Sequence, residues 1–220
     1  MSPGNAEPVG IAVLAKSPIA GTVKTRLAMM LGVEGATRLH ERFVARTVAA
    51  AAEAATGPVT LWGSPDERHP YFHDLAQRFS LTLLRQPDGD LGARMHAAIA
   101  HGAGPTLVLG TDCPLMSATH LRDAAEVLRG GSDAVVFPAD DGGYVLIGLS
   151  RPVPDLFTDM AWSTDGVMME TRQRLRHLGL SWREPARLWD VDRPSDVRRM
   201  HREGLTELLE GIDPRAQAKK

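Results

Sequence analysis

The chain has 220 residues, 43% hydrophobic and 24% charged, a balance that suits one generous globular domain and argues against disorder. Its 25 basic and 27 acidic side chains leave a net charge of -2, so no global field draws it to nucleic acid or an anionic membrane, and an anion site must be a local cluster. The single cysteine, Cys113, excludes an intramolecular disulfide and a multi-cysteine metal centre and fits a reducing, cytoplasmic setting; the opening MSPGNAEP lacks a basic n-region, and the apolar run after it is too short to span a bilayer.

In chain order, apolar runs of strand length are expected at Gly10–Ala15, Val59–Trp62, Leu81–Arg85, Thr106–Leu109, Ala134–Phe137, Tyr144–Ile147 and Ser181–Arg187. Helical patterns fall between them at Val33–Ala55, Tyr71–Phe79, Leu91–Ala103, Ala118–Arg129 and Thr164–Leu178, and a last helix follows Pro194. The fifth helix sets Val167, Thr171, Leu175 and Leu178 on one face, and Ser117 is placed to cap the fourth. Such alternation predicts an α/β fold with a mostly parallel, mixed sheet and helices on both faces. The exception is the turn-rich Asp140–Gly143, which joins two strand runs with no helix between. No linker or repeat divides the chain, so one domain over residues 1–220 is expected, with an ordered core at 8–210 and frayed polar ends such as Asp213–Lys220. In open α/β sheets ligands sit outside the C-terminal ends of the strands, which is where the unusual polar residues fall.

The first cluster is the loop after Gly10–Ala15, where Lys16, Gly21, Lys24 and Arg26 gather positive charge beside a helix N-terminus, a setting for phosphate. It is not a Walker loop, because Val23 precedes Lys24–Thr25, and no G-x-G-x-x-G follows the strand. After Thr106–Leu109 comes Gly110-Thr111-Asp112-Cys113-Pro114; Asp112 suits a hard cation such as Mg²⁺ or serves only as a turn residue, and Cys113 reads as a small buried side chain. In Asp190-Val191-Asp192 both carboxylates point to one side of an extended backbone, and either can complete a metal site with Asp112, while Asp196 complements the dipole of the last helix. In the segment 86–94, Gln86 offers an amide to a base edge, Gly92 permits close backbone approach and Arg94 reaches a phosphate or carboxylate; an ordinary Gly/Asp turn explains the same residues. Asp140-Asp141-Gly142-Gly143 is a hairpin signal, and Tyr144 and Trp162 either flank a ligand ring or pack in the core. The eight histidines show no metal-ligand spacing.

In order these motifs read A-K-S-P-x-x-G-x-x-K-T-R-L, Q-x-x-G-D-L-G-x-R-M, G-T-D-C-P, D-G-G-Y-x-L-x-G, W-S-T and D-V-D-R-P-S-D-V. Together they resemble the DUF2064 family of bacterial proteins, also called the radical-SAM/selenodomain-associated or arsenosugar-biosynthesis type glycosyltransferases, over roughly Gly10 to Leu208. More distantly the chain is similar to single-domain nucleotidyltransferases such as phospholactate guanylyltransferase. The resemblance implies a GT-A-like nucleotide-diphospho-sugar transferase fold. Ala15, Lys16, Gly21, Lys24 and Arg26 would wrap the nucleotide phosphates, with Gln86, Gly92 and Arg94 near base and ribose. Asp112 with Asp192 or Asp190 would hold Mg²⁺ or Mn²⁺. Lys24, Arg26, Asp112 and Asp141 would act in catalysis, Asp140 or Asp141 serving as general base. A small-molecule acceptor would meet Gly142, Gly143, Tyr144, Trp162, Ser163 and Thr164. Against the relatives, G-x-G-x-R is replaced by A-K-S-P-x-x-G, Arg193 stands where a threonine caps the last helix, and Asp112 lacks a D-x-D partner. Glycosyl transfer is the expected chemistry, with nucleotidyl transfer and a non-catalytic nucleotide-binding module as the alternatives.

Overall fold

A computed structural model describes residues 7–212, so residues 1–6 and the Asp213–Lys220 tail lie outside the described residues. Its strands are β1 (Gly10–Lys16), β2 (Val59–Ser64), β3 (Thr82–Arg85), β4 (Thr106–Leu109), β5 (Ala134–Pro138), β6 (Tyr144–Leu149) and β7 (Trp182–Arg183). Its helices are α1 (Ala28–Ala54), α2 (Pro70–Phe79), α3 (Leu91–His101), α4 (Ala118–Arg129), α5 (Val167–His177) and α6 (Pro194–Arg202). The strands form one sheet in the order β3-β2-β1-β4-β6-β5-β7. Among the described residues only β6 runs against its neighbours, β4 and β5, and every other pairing is parallel. The fold class read from the alternation of strands and helices is therefore the observed one.

The period of two along β1 splits the core between the faces. Ile11, Val13 and Ala15 point to the layer of α1, α2 and α4 and pack with Val44, Val48, Phe72, Leu121 and Leu146. Ala12 and Leu14 point the other way, to Met95, Ile99, Val136, Met168 and Leu175 under α3 and α5. A third cluster, Leu27, Leu39, Phe43, Trp189, Val191, Val197 and Met200, seats the start of α1 against α6. Full burial of one such leucine or phenylalanine stabilises the fold by about 1.5–3 kcal/mol.

Most element ends match the sequence reading within two residues; three differences have local causes. Ser181–Arg187 yields only the two-residue β7, because after Arg183 the chain leaves β5 and continues as an irregular segment, rejoining it at a single bridge between Ala139 and Leu188. The helix expected from Val33 begins at Ala28, with a kink at Gly32 (φ 72°, ψ 165°) joining an extra turn to the amphipathic part. The helix expected from Thr164 starts at Val167, since Asp165–Gly166 pack as loop on the β5–β6 hairpin. Ser117 caps α4 as expected, accepting from the His120 N–H at 3.3 Å. Arg193 does not leave α6 uncapped: the Asp196 carboxylate accepts from the Arg193 and Asp192 backbone N–H groups at 2.7 and 3.0 Å. Among the described residues no helix is long and apolar enough to cross a membrane.

Candidate functional site

The connection from β1 leads toward β2 and β3, and the chain then returns to place β4 on the other side of β1. At such a reversal of strand order, open α/β sheets place their ligands in the crevice outside the C-terminal ends of the strands, here those of β1 and β4. Lys24 and Arg26 arrive there from the β1 loop, Asp112 from the end of β4, and Asp190 and Asp192 from the segment after β7. Four of the five meet as ion pairs, with Asp190 close enough to feel the charges of Asp112 and Lys24. Lys24 Nζ lies 2.7 Å from Asp112 Oδ1, and Arg26 pairs with Asp192.

The loop is pinned at both ends. Ser17 donates its backbone N–H to the Ser64 carbonyl (2.7 Å) and its hydroxyl to the Asp66 carbonyl (2.8 Å). Val23 is buried, while Lys16, Gly21 and Arg26 face solvent and Gly21 adopts φ 81°. His40 of α1 donates Nε2–H to the Lys16 carbonyl at 2.8 Å; burial keeps its imidazole less basic than usual, hence neutral, and leaves Nδ1 without a partner. Neither Ser17 nor His40 stands out in the sequence, because their work is done on backbone carbonyls far away in the chain.

Lys24 differs from a free phosphate-binding cation. Its side chain is 4% exposed, its backbone is left-handed (φ 48°), and Nζ donates both to Asp112 and to the Val191 carbonyl at 2.6 Å while lying 5.7 Å from the Phe43 ring centroid. The Val191 N–H in turn donates to the Asp112 carbonyl at 2.8 Å. Lys24 thus ties the loop, the end of β4 and the acidic segment together, and the cations are interleaved with the carboxylates.

Asp112 keeps a half-exposed carboxylate with only Oδ1 engaged by Lys24. Asp190 is half-buried, and desolvation together with the charges of Asp141 and Asp112 pushes its carboxyl up to about 6. With the folded value raised, deprotonation from about pH 4 to 6 destabilises the native state. Asp190→Asn is therefore expected to unfold at higher denaturant than wild type at pH 7, by about 1–2 kcal/mol after allowing for its partial exposure, with the gain gone below pH 4. Urea melts at the two pH values check this. Among the described residues no three acidic, histidine or cysteine side chains converge as a closed metal cage. Asp112, with one carboxylate oxygen not engaged by Lys24, and Asp190 nearby are oxygen donors of the kind Mg²⁺ and Mn²⁺ take, one or two carboxylates completed by phosphates and water.

The neighbouring motifs resolve differently. Asp140 accepts from Arg187 Nε (2.9 Å) and Arg199 Nη1 (2.8 Å), and these guanidinium groups hold its carboxyl below the usual range, so it braces the hairpin. Asp141 is exposed and accepts from the Gly143 N–H at 3.0 Å. Gly142 (φ 93°) presses on Asp165, and a Cβ there would lie 2.1 Å from the Asp165 carbonyl oxygen. The Tyr144 hydroxyl is buried toward Met95 Sδ, and its ring meets Trp162 edge-on with centroids 6.5 Å apart. Gly92 packs on Trp162, where a Cβ would lie 2.7 Å from Cζ2; its close approach serves the protein interior. Ser163 and Thr164 are exposed. Gln86 spends its amide N–H groups on the carbonyls of Ala15 (3.1 Å) and Trp62 (2.8 Å) and has no donor left for a base. Cys113 is buried and burial pushes its thiol up to about 11, as suits an inert packing residue.

A family model described as "Uncharacterized protein conserved in bacteria (DUF2064)" matches residues 47–164. A solved structure of a provisionally assigned nucleotide-diphospho-sugar transferase from Desulfovibrio desulfuricans G20 is 26% identical, covers 93% of this chain and 98% of its own, and superposes with a TM-score of 0.77. CMP:2-keto-3-deoxy-manno-octonic acid synthetase complexed with CTP shares the fold at 12% identity, covering 91% and 99% of the two chains with a TM-score of 0.55. So does glucosyl-3-phosphoglycerate synthase from Mycobacterium tuberculosis, solved with Mn²⁺, UDP and glucosyl-3-phosphoglycerate, at 11% identity over 93% and 79% with a TM-score of 0.55. None of the curated proteins matches the sequence significantly. The fold is that of the nucleotide-diphospho-sugar transferases.

Proposed function

Because the chain belongs to the DUF2064 family and folds as nucleotide-diphospho-sugar transferases do, we propose that it is a divalent-metal-dependent glycosyltransferase, moving a sugar from a nucleoside diphosphate to a hydroxyl of a small acceptor. The observation that carries this reading is the convergence of Lys24–Asp112 and Arg26–Asp192 at the β1/β4 crevice. Exposed Lys16 and Arg26, with the backbone around Gly21, bind the diphosphate and neutralise the charge that grows on it as the sugar leaves. Mg²⁺ or Mn²⁺, when bound, stabilises the leaving diphosphate, and Asp112 with Asp190 would hold it. Lys24 keeps the Asp112 carboxylate in place, and Asp192 orients Arg26. Asp141 takes the acceptor hydroxyl proton as that oxygen bonds to the anomeric carbon, and the nucleoside diphosphate departs with the bonding electrons. The surface of Ser163 and Thr164 beside the hairpin receives the acceptor.

Nucleotidyl transfer is the second reading, favoured by the fold shared with a CTP-bound synthetase. Incubation with Mn²⁺ and a panel of nucleotide sugars, or with the four nucleoside triphosphates and phosphorylated acceptors, separates them. Metal-dependent release of nucleoside diphosphate supports the first reading and release of pyrophosphate the second. Nucleotide binding indifferent to metal, with no turnover, would contradict both.

A further inference from the structure

Resting on the nucleotide-binding reading above, we propose that Arg94 selects the base, taking an edge with two adjacent acceptors: O6 and N7 of guanine, or O2 and N3 of cytosine. Gln86 follows β3 and reaches back across the sheet ends to the Trp62 and Ala15 carbonyls, which consume its donors and fix its orientation. Its Oε1 then accepts weakly from Arg94 Nη1, at 3.4 Å. Arg94 has no ion pair with any described carboxylate. Its Nε is buried without a hydrogen-bond partner among the described residues, and the residue as a whole is half-buried.

A half-buried guanidinium held by a fixed amide and lacking a counter-charge among the described residues is an unusual thing to leave in a folded protein. Its place suggests its partner. The amide that holds it spans the ends of β1 and β2, on the side of β1 away from β4 and Asp112. A nucleotide whose phosphates lie over the β1/β4 crevice would extend its base to that side. Guanidinium donates and never accepts, so it matches two neighbouring acceptors in a bidentate pair. Adenine sets its N6 amino group beside N7, and uracil sets N3–H between its carbonyls; each opposes donor to donor.

Calorimetric titration of the full chain with GDP, CDP, ADP, UDP and inorganic pyrophosphate, each with Mn²⁺, tests this. Wild type should bind GDP or CDP about tenfold or more tightly than ADP and UDP, as a good bidentate pair provides. Arg94→Met should narrow the preference to less than about threefold and leave pyrophosphate binding unchanged, and Arg94→Lys should not restore it. A wild-type preference for ADP or UDP overturns the proposal without any variant. So does a preference that survives in Arg94→Met, or an equal loss for all five ligands, which would make Arg94 a phosphate contact. Failure of wild type to bind any of the five would remove the nucleotide site itself, and the proposal with it.

Discussion

Asp112→Asn is expected to lower metal-dependent turnover by at least about 10³-fold while the circular dichroism of the folded chain stays unchanged. The substitution keeps the shape of the side chain and an acceptor for Lys24, whose Nζ also donates to the Val191 carbonyl at 2.6 Å. What it removes is the negative charge at the end of β4. Part of the ion pair is lost as well, but Asp112 is 46% exposed, so the cost to stability should stay near about 1 kcal/mol. The loss should appear in kcat at saturating nucleotide sugar. Turnover within about threefold of wild type would show that Asp112 takes no part in the chemistry.

Gly142→Ala should be strongly damaging although it lies outside the crevice. The position needs φ 93°, which alanine disfavours, and the new Cβ would meet the Asp165 carbonyl oxygen at 2.1 Å. Backbone faces it there, so no side chain can rotate away. The Met168 N–H also donates to the Gly142 carbonyl at 2.8 Å, so movement of the hairpin breaks the start of α5. We expect a loss of about 2–4 kcal/mol, or a Tm roughly 5–15 °C lower for a chain of this size. Gly131→Ala is the control: its φ is 90° but nothing lies within 4 Å of the added Cβ, so about 1 kcal/mol is expected. Equal melting temperatures for the two variants would mean that the contact with Asp165 is immaterial. Asp141 sits beside Gly142, so the same change should also slow acceptor attack.

Much of this arrangement is legible in the residues themselves. Strands such as Thr106–Leu109 and helices such as Ala118–Arg129 announce themselves by period and cap, and the β–α order fixes which strand ends carry Lys24 and Asp112. Local sequence does not reveal which polar groups the fold uses for itself. Gln86 reads as a ligand contact until two carbonyls from other strands claim its amide. Asp140 and Asp141 are neighbours of one type, yet Arg187 and Arg199, 47 and 59 residues away, claim only the first. Lys24 reads as an exposed cation because its burial depends on Phe43 and Val191, which no spacing connects to it. Ser181–Arg187 reads as a longer strand because its own residues do not say where the partner strand ends, and Pro185, with no N–H to donate, falls in the part that leaves the sheet.

The central claim is that one mouth, between β1 and β4, holds both the diphosphate and the metal. Crystals grown with Mn²⁺ and a nucleoside diphosphate, measured for manganese anomalous scattering, test it most directly. The account predicts a single strong peak coordinated by Asp112, with the phosphates toward Lys16 and Arg26. A nucleotide seated away from β1 and β4, or manganese bound there without Asp112, would contradict it.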